Sequence, residues 1–269
     1  MRIIHDIIKV FQFILNLKIK WLKRKNCNFY NFMKKDNLYN KNIPSNHKFI
    51  FDNDVTNVFE DMVNRSVPGY EFLIENIGYI AKKFYQPSTN IYDLGSSLGA
   101  CSISVAEKIQ NFTGIIYAID SSEAMIKACK KNINNKSIKL IKSDISEIEM
   151  INSSVIIFNL TIQFISVDKR TELLKKFFNQ LNKNGVIIIT EKIISDKKND
   201  DDFSKSFHDF FKLNKGYSKE EIDRKKIALK DIMKIESEKQ HEDRFKEIGC
   251  DNFYKWFQCY NFVSWVLVK

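Results

Sequence analysis

Glycine and proline are scarce in this chain, 8 and 3 among 269 residues. Few positions can adopt special backbone geometry, so each glycine becomes informative. The five cysteines, Cys27, Cys101, Cys129, Cys250 and Cys259, are odd in number and widely spaced, with no CxxC pair. That excludes a disulfide framework and argues against a thiolate zinc site; with only four scattered histidines, the expectation is no metal and reduced thiols in the cytoplasm. Nor is there a run apolar enough to cross a bilayer. Residues 3–22 are rich in Ile, Leu, Phe and Trp, but Asp6, Lys9, Gln12, Asn16, Lys18 and Lys20 interrupt them. The basic cluster Lys23-Arg24-Lys25 follows that stretch instead of preceding it, against a secretory signal. Its apolar positions fit one helical face, so the segment reads either as an interfacial or partner-binding amphipathic helix or as an undocked extension.

Acidic residues are short in one region only. Residues 1–48 carry eleven Lys/Arg against two Asp/Glu, whereas the rest carries 32 against 31, so the net charge of +10 belongs to the amino-terminal part. The body offers no charge signature of a nucleic-acid groove, and direct nucleic-acid or membrane binding is not expected of it. The predicted organisation is a basic extension, residues 1–48, followed by one domain, residues 49–269, long enough to bury a large core.

Within the body, Val55, Val58, Phe59, Met62 and Val63 recur at helical spacing, and Arg65-Ser66-Val67-Pro68-Gly69-Tyr70 breaks that helix. A second helix is predicted over 71–85. Strand and helix then alternate: strand 90–94, helix 100–109, strand 115–119, helix 122–133, strand 138–141, strand 155–160, helix 168–181 and strand 186–190. Ser121-Ser122-Glu123 supplies a helix cap and Asn184-Gly185 a turn. Residues 196–248 read as a charged, mainly helical insert, and 253–260 with 262–268 as a closing hairpin around Asn261. The class implied is α/β: a Rossmann-like, mainly parallel sheet with a carboxy-terminal antiparallel hairpin, the methyltransferase variant of that architecture.

The segment Asp93-Leu94-Gly95-Ser96-Ser97-Leu98-Gly99 joins the first strand of that series to its helix. It is not the dinucleotide pattern GxGxxG, but its glycines have the same physical sense: Gly95 permits a tight turn and close ligand approach, and Gly99 lets the helix start near the strand. In the methyltransferase arrangement this surface meets the amino-acid part of S-adenosylmethionine. Asp120 ends the next strand, where a carboxylate accepts from both ribose hydroxyls or, alternatively, caps a helix. Asp144 follows the third strand, as an acceptor for the adenine amino group or as a solvated turn residue. Asn159 closes the fourth strand at the ligand-binding edge.

From about Phe51 to Lys269 the chain resembles the carboxy-S-adenosylmethionine synthases, bacterial relatives of methyltransferases. The resemblance is carried by Arg65–Tyr70, by Tyr92–Gly99, by Asn159-Leu160-Thr161-Ile162-Gln163-Phe164, by Gly216-Tyr217-Ser218 and by Trp256-Phe257-Gln258-Cys259, in that order. It implies a homodimeric enzyme that converts S-adenosylmethionine and prephenate into carboxy-S-adenosylmethionine and phenylpyruvate, the product serving a tRNA carboxymethyltransferase that modifies the wobble uridine. It further implies that Tyr70, Gly95, Ser96, Ser97, Asp120, Ser121, Asp144, Ile145 and Asn159 surround the cofactor. Tyr70 has the alternative of a helix-packing aromatic. No dedicated side-chain base is required, because hydroxide leaving prephenate can take the methyl proton.

Two departures from the family stand out. Lys226 occupies the position of an arginine that holds the new carboxylate; lysine keeps the charge and loses the bidentate fork. Arg224, two residues away on a helix, points elsewhere. Ser96 stands where cysteine is common. If Lys226 is only a solvated lysine, a methyltransferase acting on a small molecule or a tRNA base becomes the alternative, and a non-catalytic partner of the tRNA-modifying enzyme is a third reading. Met33-Lys34-Lys35-Asp36-Asn37-Leu38-Tyr39 resembles the usual family start, so residues 1–32 are expected not to be native. Phe207, Phe210 and Phe211 offer a dimer interface or else the buried face of an amphipathic helix.

Overall fold

The computed structural model describes residues 34–40 and 49–269. The expectations for residues 1–32 and for a start at Met33 lie outside these. The unit carrying the fold runs from Asp36 to Lys269. It includes residues that the charge boundary places in the extension: Asp36 and Tyr39 are buried, and the Asp36 amide donates to Asp61 Oδ2 at 2.7 Å.

Helix α1 (Asn53–Ser66) is capped by Asp52, which accepts from the Val55 amide at 3.0 Å, and it ends where Val67, ahead of Pro68, is forced into extended backbone. Helix α2 (Tyr70–Phe84) follows. Next come β1 (Asn90–Leu94), α3 (Ala100–Lys108), β2 (Ile116–Asp120), α4 (Glu123–Asn132), β3 (Ile138–Lys142), β4 (Ser153–Asn159), α5 (Val167–Gln180) and β5 (Leu181–Ile194). The expected cap is present, Ser122 Oγ accepting from the Met125 amide at 3.2 Å. Beyond β5 lie α6 (Lys198–Asn214), α7 (Lys219–Leu229), β6 (Glu236–Ser237), α8 (Glu238–Glu247), β7 (Asn252–Cys259) and β8 (Phe262–Val268).

The sheet order is β3-β2-β1-β4-β5-β8-β7, with β6 paired to the end of β5. Strands β1 to β5 run parallel, and β8 lies antiparallel between β5 and β7. The chain winds outward from β1 to β3 and returns to β4. This puts the topological switch, and hence the ligand crevice, at the carboxyl ends of β1 and β4. The period-two pattern of the strands divides the core. Ile156 and Phe158 face one layer with Leu174 and Phe177 of α5, Phe245 of α8 and Trp265; Val155 and Ile157 face the other with Leu73 and Ile77 of α2 and Val105 of α3.

Two expectations change. Asn184-Gly185 does not end a segment: Asn184 takes φ 62° inside β5, and the pairing with β4 slips between Ser153 and Val155, so the turn signal is realised as a bulge. The charged stretch 196–248 is mainly helical as expected, but it does not stand apart from the domain: β6 extends the β5 edge, and α8 belongs to the main core through Phe245 and Ile248. One aromatic and one aliphatic anchor in so charged a segment leave little periodic signal. On α6, Phe203, Phe207 and Phe210 are exposed while Phe211 is half-buried. Among the described residues no helix is long and apolar enough to cross a membrane.

Candidate functional site

A cavity of about 1380 Å³ opens at the switch point, lined by residues from the ends of β1, β2, β4 and β5 and from α1, α6 and α7. Its floor is the turn between β1 and α3. Asp93 is buried, and its Oδ2 accepts from the Ser102 amide at 3.0 Å and the Ser102 hydroxyl at 2.6 Å, tying the strand to the helix that follows. Burial lifts its pKa to about 6. At Gly95, φ is 78°, and a Cβ there would lie 2.5 Å from Thr161 Cγ2. At Gly99, φ is 80°, and a Cβ would lie 2.6 Å from Ile133 Cδ1. Both positions therefore demand glycine, for conformation and for space.

All ten residues singled out from the sequence line this one cavity: Tyr70, Gly95, Ser96, Ser97, Asp120, Ser121, Asp144, Ile145, Asn159 and Lys226. Asp120 is fixed by backbone amides on both sides of it. One carboxylate oxygen accepts from the Ser122 amide at 2.8 Å at the start of α4, the other from the Ser97 amide at 2.9 Å across the turn. Each oxygen keeps a second lone pair for a ligand hydroxyl. Burial raises its pKa. Asp144 is exposed; it accepts from the Ser146 hydroxyl and amide at 2.7 and 2.8 Å, and these bonds lower its pKa. Tyr70 opens α2 and is partly buried, with its phenol pKa raised by desolvation.

Two buried polar atoms at this end lack any partner: Ser96 Oγ and Asn159 Oδ1. Buried groups of this kind are normally satisfied, and both belong to residues that line the cavity, so they are available to a ligand bound there. Acceptors at Asp120 and Asn159 with a hydroxyl at Ser96 fit the ribose and the ammonium of S-adenosylmethionine.

The rest of the site depends on residues not singled out in advance. Glu191, within β5, is fully buried and accepts three amides from the loop after β4: Thr161 at 3.1 Å, Ile162 at 2.8 Å and Gln163 at 2.8 Å. Burial outweighs these donors and pushes its pKa up to about 8. Thr161 Oγ1 in turn donates to the Leu94 carbonyl at 2.8 Å, so the loop is held against the glycine turn. Next in sequence, Lys192 lines the cavity, as do Lys212 of α6 and Lys225 and Lys226 of α7. Burial first, then neighbouring lysines, lowers Lys192 to about 7. Desolvation also depresses Lys212, and takes Lys225 to about 8. Lys212 pairs with Asp209 at 3.4 Å, Lys226 with the same carboxylate, and Lys225 with Asp36 at 3.6 Å. His208 is held by the Ser66 carbonyl at 2.7 Å, and burial among lysines pushes it down to about 2, so its ring is neutral. Arg224 is not a substitute for Lys226: its guanidinium donates to the Tyr39 and Asn40 carbonyls at 2.8 and 3.1 Å. A signal for the missed pair was available, since Glu191-Lys192 places two charges at the carboxyl end of an apolar strand, where such sheets bind ligands.

A family model described as a methyltransferase domain matches residues 86–248. A carboxy-S-adenosyl-L-methionine synthase from Vibrio atlanticus is 39% identical over 238 residues, covering 87% of this chain and 98% of the relative. Its counterpart from Shewanella piezotolerans is 40% identical with the same coverage. Among solved structures, a methyltransferase described as S-adenosyl-L-methionine-dependent, from Methanococcus maripaludis, superposes with TM-score 0.56 at 19% identity, over 83% of this chain and 95% of its own. The plantazolicin methyltransferase in complex with a desmethyl substrate analogue and SAH gives TM-score 0.56 at 18% identity, over 78% and 89%. The structural likenesses establish the class I methyltransferase fold, and the sequence relatives establish more: the chain belongs to the carboxy-S-adenosyl-L-methionine synthase family.

Proposed function

We propose that the chain converts S-adenosylmethionine and prephenate into carboxy-S-adenosylmethionine and phenylpyruvate. The observation that carries this reading is the division of one cavity into an acceptor-rich end around Gly95, Asp120 and Asn159 and a lysine-rich end around Lys192, Lys212, Lys225 and Lys226. At about 1380 Å³ it exceeds the roughly 300–1,000 Å³ that suits a single small ligand, leaving room for two reactants side by side. The relatives' name gives the product that such a pair would form, carboxy-S-adenosyl-L-methionine.

Bound S-adenosylmethionine supplies a positive sulfur that acidifies its methyl group. Prephenate loses one carboxylate as carbon dioxide and its ring hydroxyl as hydroxide; the hydroxide takes a methyl proton to become water, and the methyl carbon bonds to the carbon dioxide. Tyr70, Gly95, Ser96, Ser97, Asp120, Ser121, Asp144, Ile145 and Asn159 hold the adenosyl and amino-acid parts, and Lys226 receives the new carboxylate. Neutral His208, engaged with the Ser66 carbonyl, does not serve as a base. The protein contributes proximity and exclusion of water.

In the same reading the enzyme works in the cytoplasm as a homodimer and hands its product to a tRNA carboxymethyltransferase. The exposed Phe203, Phe207 and Phe210 on α6 support self-association. One observation favours plain methyl transfer to a small molecule or tRNA base instead: Lys226 is already paired with Asp209, with Asp223 3.8 Å away. Incubating the protein with S-adenosylmethionine, with and without prephenate, separates the readings. Methylation without prephenate would favour the second.

A further inference from the structure

The lysine-rich end holds more positive charge than the chain neutralises. Asp209 serves both Lys212 and Lys226, and Asp36 serves Lys225. Lys192 differs from these three. Its ammonium makes no ion pair or hydrogen bond with the described residues. Its backbone is fixed in β5 and by a 3.2 Å bond from its amide to Gln163 Oε1, in the loop that carries Thr161. An amine placed there is costly unless something compensates it, and nothing in the fold requires it. A half-buried amine in a ligand cavity, with no partner among the described residues, is a mark of function.

We infer that Lys192, with Lys212 as its neighbour, is the subsite for a carboxylate of the second reactant, specifically the carboxylate that this reactant keeps. The inference rests on the reading above. The choice between the two carboxylates of prephenate follows from the chemistry. A cation held on the carboxylate that departs as carbon dioxide would stabilise the ground state and raise the barrier. On the carboxylate of the 2-oxo acid side chain, which survives into phenylpyruvate, the same cation binds reactant and transition state alike. Its removal therefore weakens binding more than turnover. Lys192 lines the cavity with Lys212 and is not among the acceptors around Gly95 and Asp120, so its contribution to S-adenosylmethionine binding is small.

The test compares wild type with Lys192→Met, Lys192→Arg and Lys212→Met, using S-adenosylmethionine, prephenate and phenylpyruvate. Calorimetry gives the affinity for S-adenosylmethionine and, separately, for phenylpyruvate without turnover; steady-state assays give KM and kcat. Lys192→Met is expected to raise the prephenate KM and the phenylpyruvate Kd by about tenfold or more, with a smaller fall in kcat and S-adenosylmethionine affinity within about twofold of wild type. Lys192→Arg should recover most of the loss, and Lys212→Met should give a smaller version of it. Should Lys192→Met fail to fold, Lys192→Gln takes its place, and Lys212→Met is read beside it through phenylpyruvate binding. Unchanged phenylpyruvate affinity in a folded Lys192→Met or Lys192→Gln overturns the inference. So does an equal loss for both ligands, which would mark general damage. The earlier reading fails separately, through a wild type that binds both ligands and forms no carboxylated product.

Discussion

The two ends of the cavity are built by different means. Around β1, β2 and β4 the ligand surface is mostly backbone and short acceptors: a turn at positive φ, a carboxylate at Asp120 already committed to two amides, and an unpartnered Ser96 Oγ and Asn159 Oδ1. Around β5, α6 and α7 it is long lysines, partly neutralised by Asp209 and Asp36. The first end is pre-organised, with little side-chain freedom to lose on binding, and suits a cation bearing hydroxyls. The second is electrostatic and suits an anion, its specificity set by which carboxylate meets which amine.

The largest effect should come from filling the glycine turn. Gly95→Val places branched atoms against Thr161 and forces an unfavourable φ; S-adenosylmethionine binding is expected to fall by about a hundredfold or more, equivalent to roughly 3 kcal/mol, in calorimetry. Phenylpyruvate binding should suffer much less, and equal losses would dissolve the division between the ends. Asp120→Ala comes next, about ten- to a hundredfold for S-adenosylmethionine, because charged acceptors contribute about 1.5–3 kcal/mol and two amides lose their partner. Lys226→Met should weaken carboxy-S-adenosylmethionine about tenfold while sparing S-adenosylmethionine, a difference read by competition binding.

The smallest effect on affinity is expected at Glu191, which braces the loop between the ends. With its folded pKa raised to about 8 from 4.5, the native state holds a proton over that window that the unfolded state has released. Its contribution to stability is thus present below about pH 4.5 and is lost as pH rises through 8. Glu191→Gln should flatten this part of the stability profile in denaturant titrations at several pH values. It should also destabilise by about 1–3 kcal/mol, since an amide offers one acceptor oxygen to three N–H donors. A variant with the wild-type pH slope would show that Glu191 does not titrate there.

The acceptor-rich end was legible because its signals are local. A turn with two glycines, an aspartate at a strand end and an asparagine at the next are each fixed by position along one element. The strand-helix alternation that sets the topology was legible for the same reason. The lysine-rich end was not, apart from Lys226, because its parts converge only when α6 and α7 fold over β5. In a chain with 43 Lys/Arg, a buried lysine has no distinguishing mark in sequence. The extent of β5 was underestimated because Asn184-Gly185 reads as a turn and serves as a bulge. The core role of α8 was hidden because Phe245 stands among charges.

The central claim is that the two ends bring a sulfonium methyl group and a decarboxylating dianion together. Mass spectrometry of S-adenosylmethionine after incubation with the protein and prephenate tests it most directly. The account predicts a cofactor heavier by one added carboxyl group, formed together with phenylpyruvate and only when prephenate is present. Unchanged cofactor from a protein that binds both ligands would contradict it.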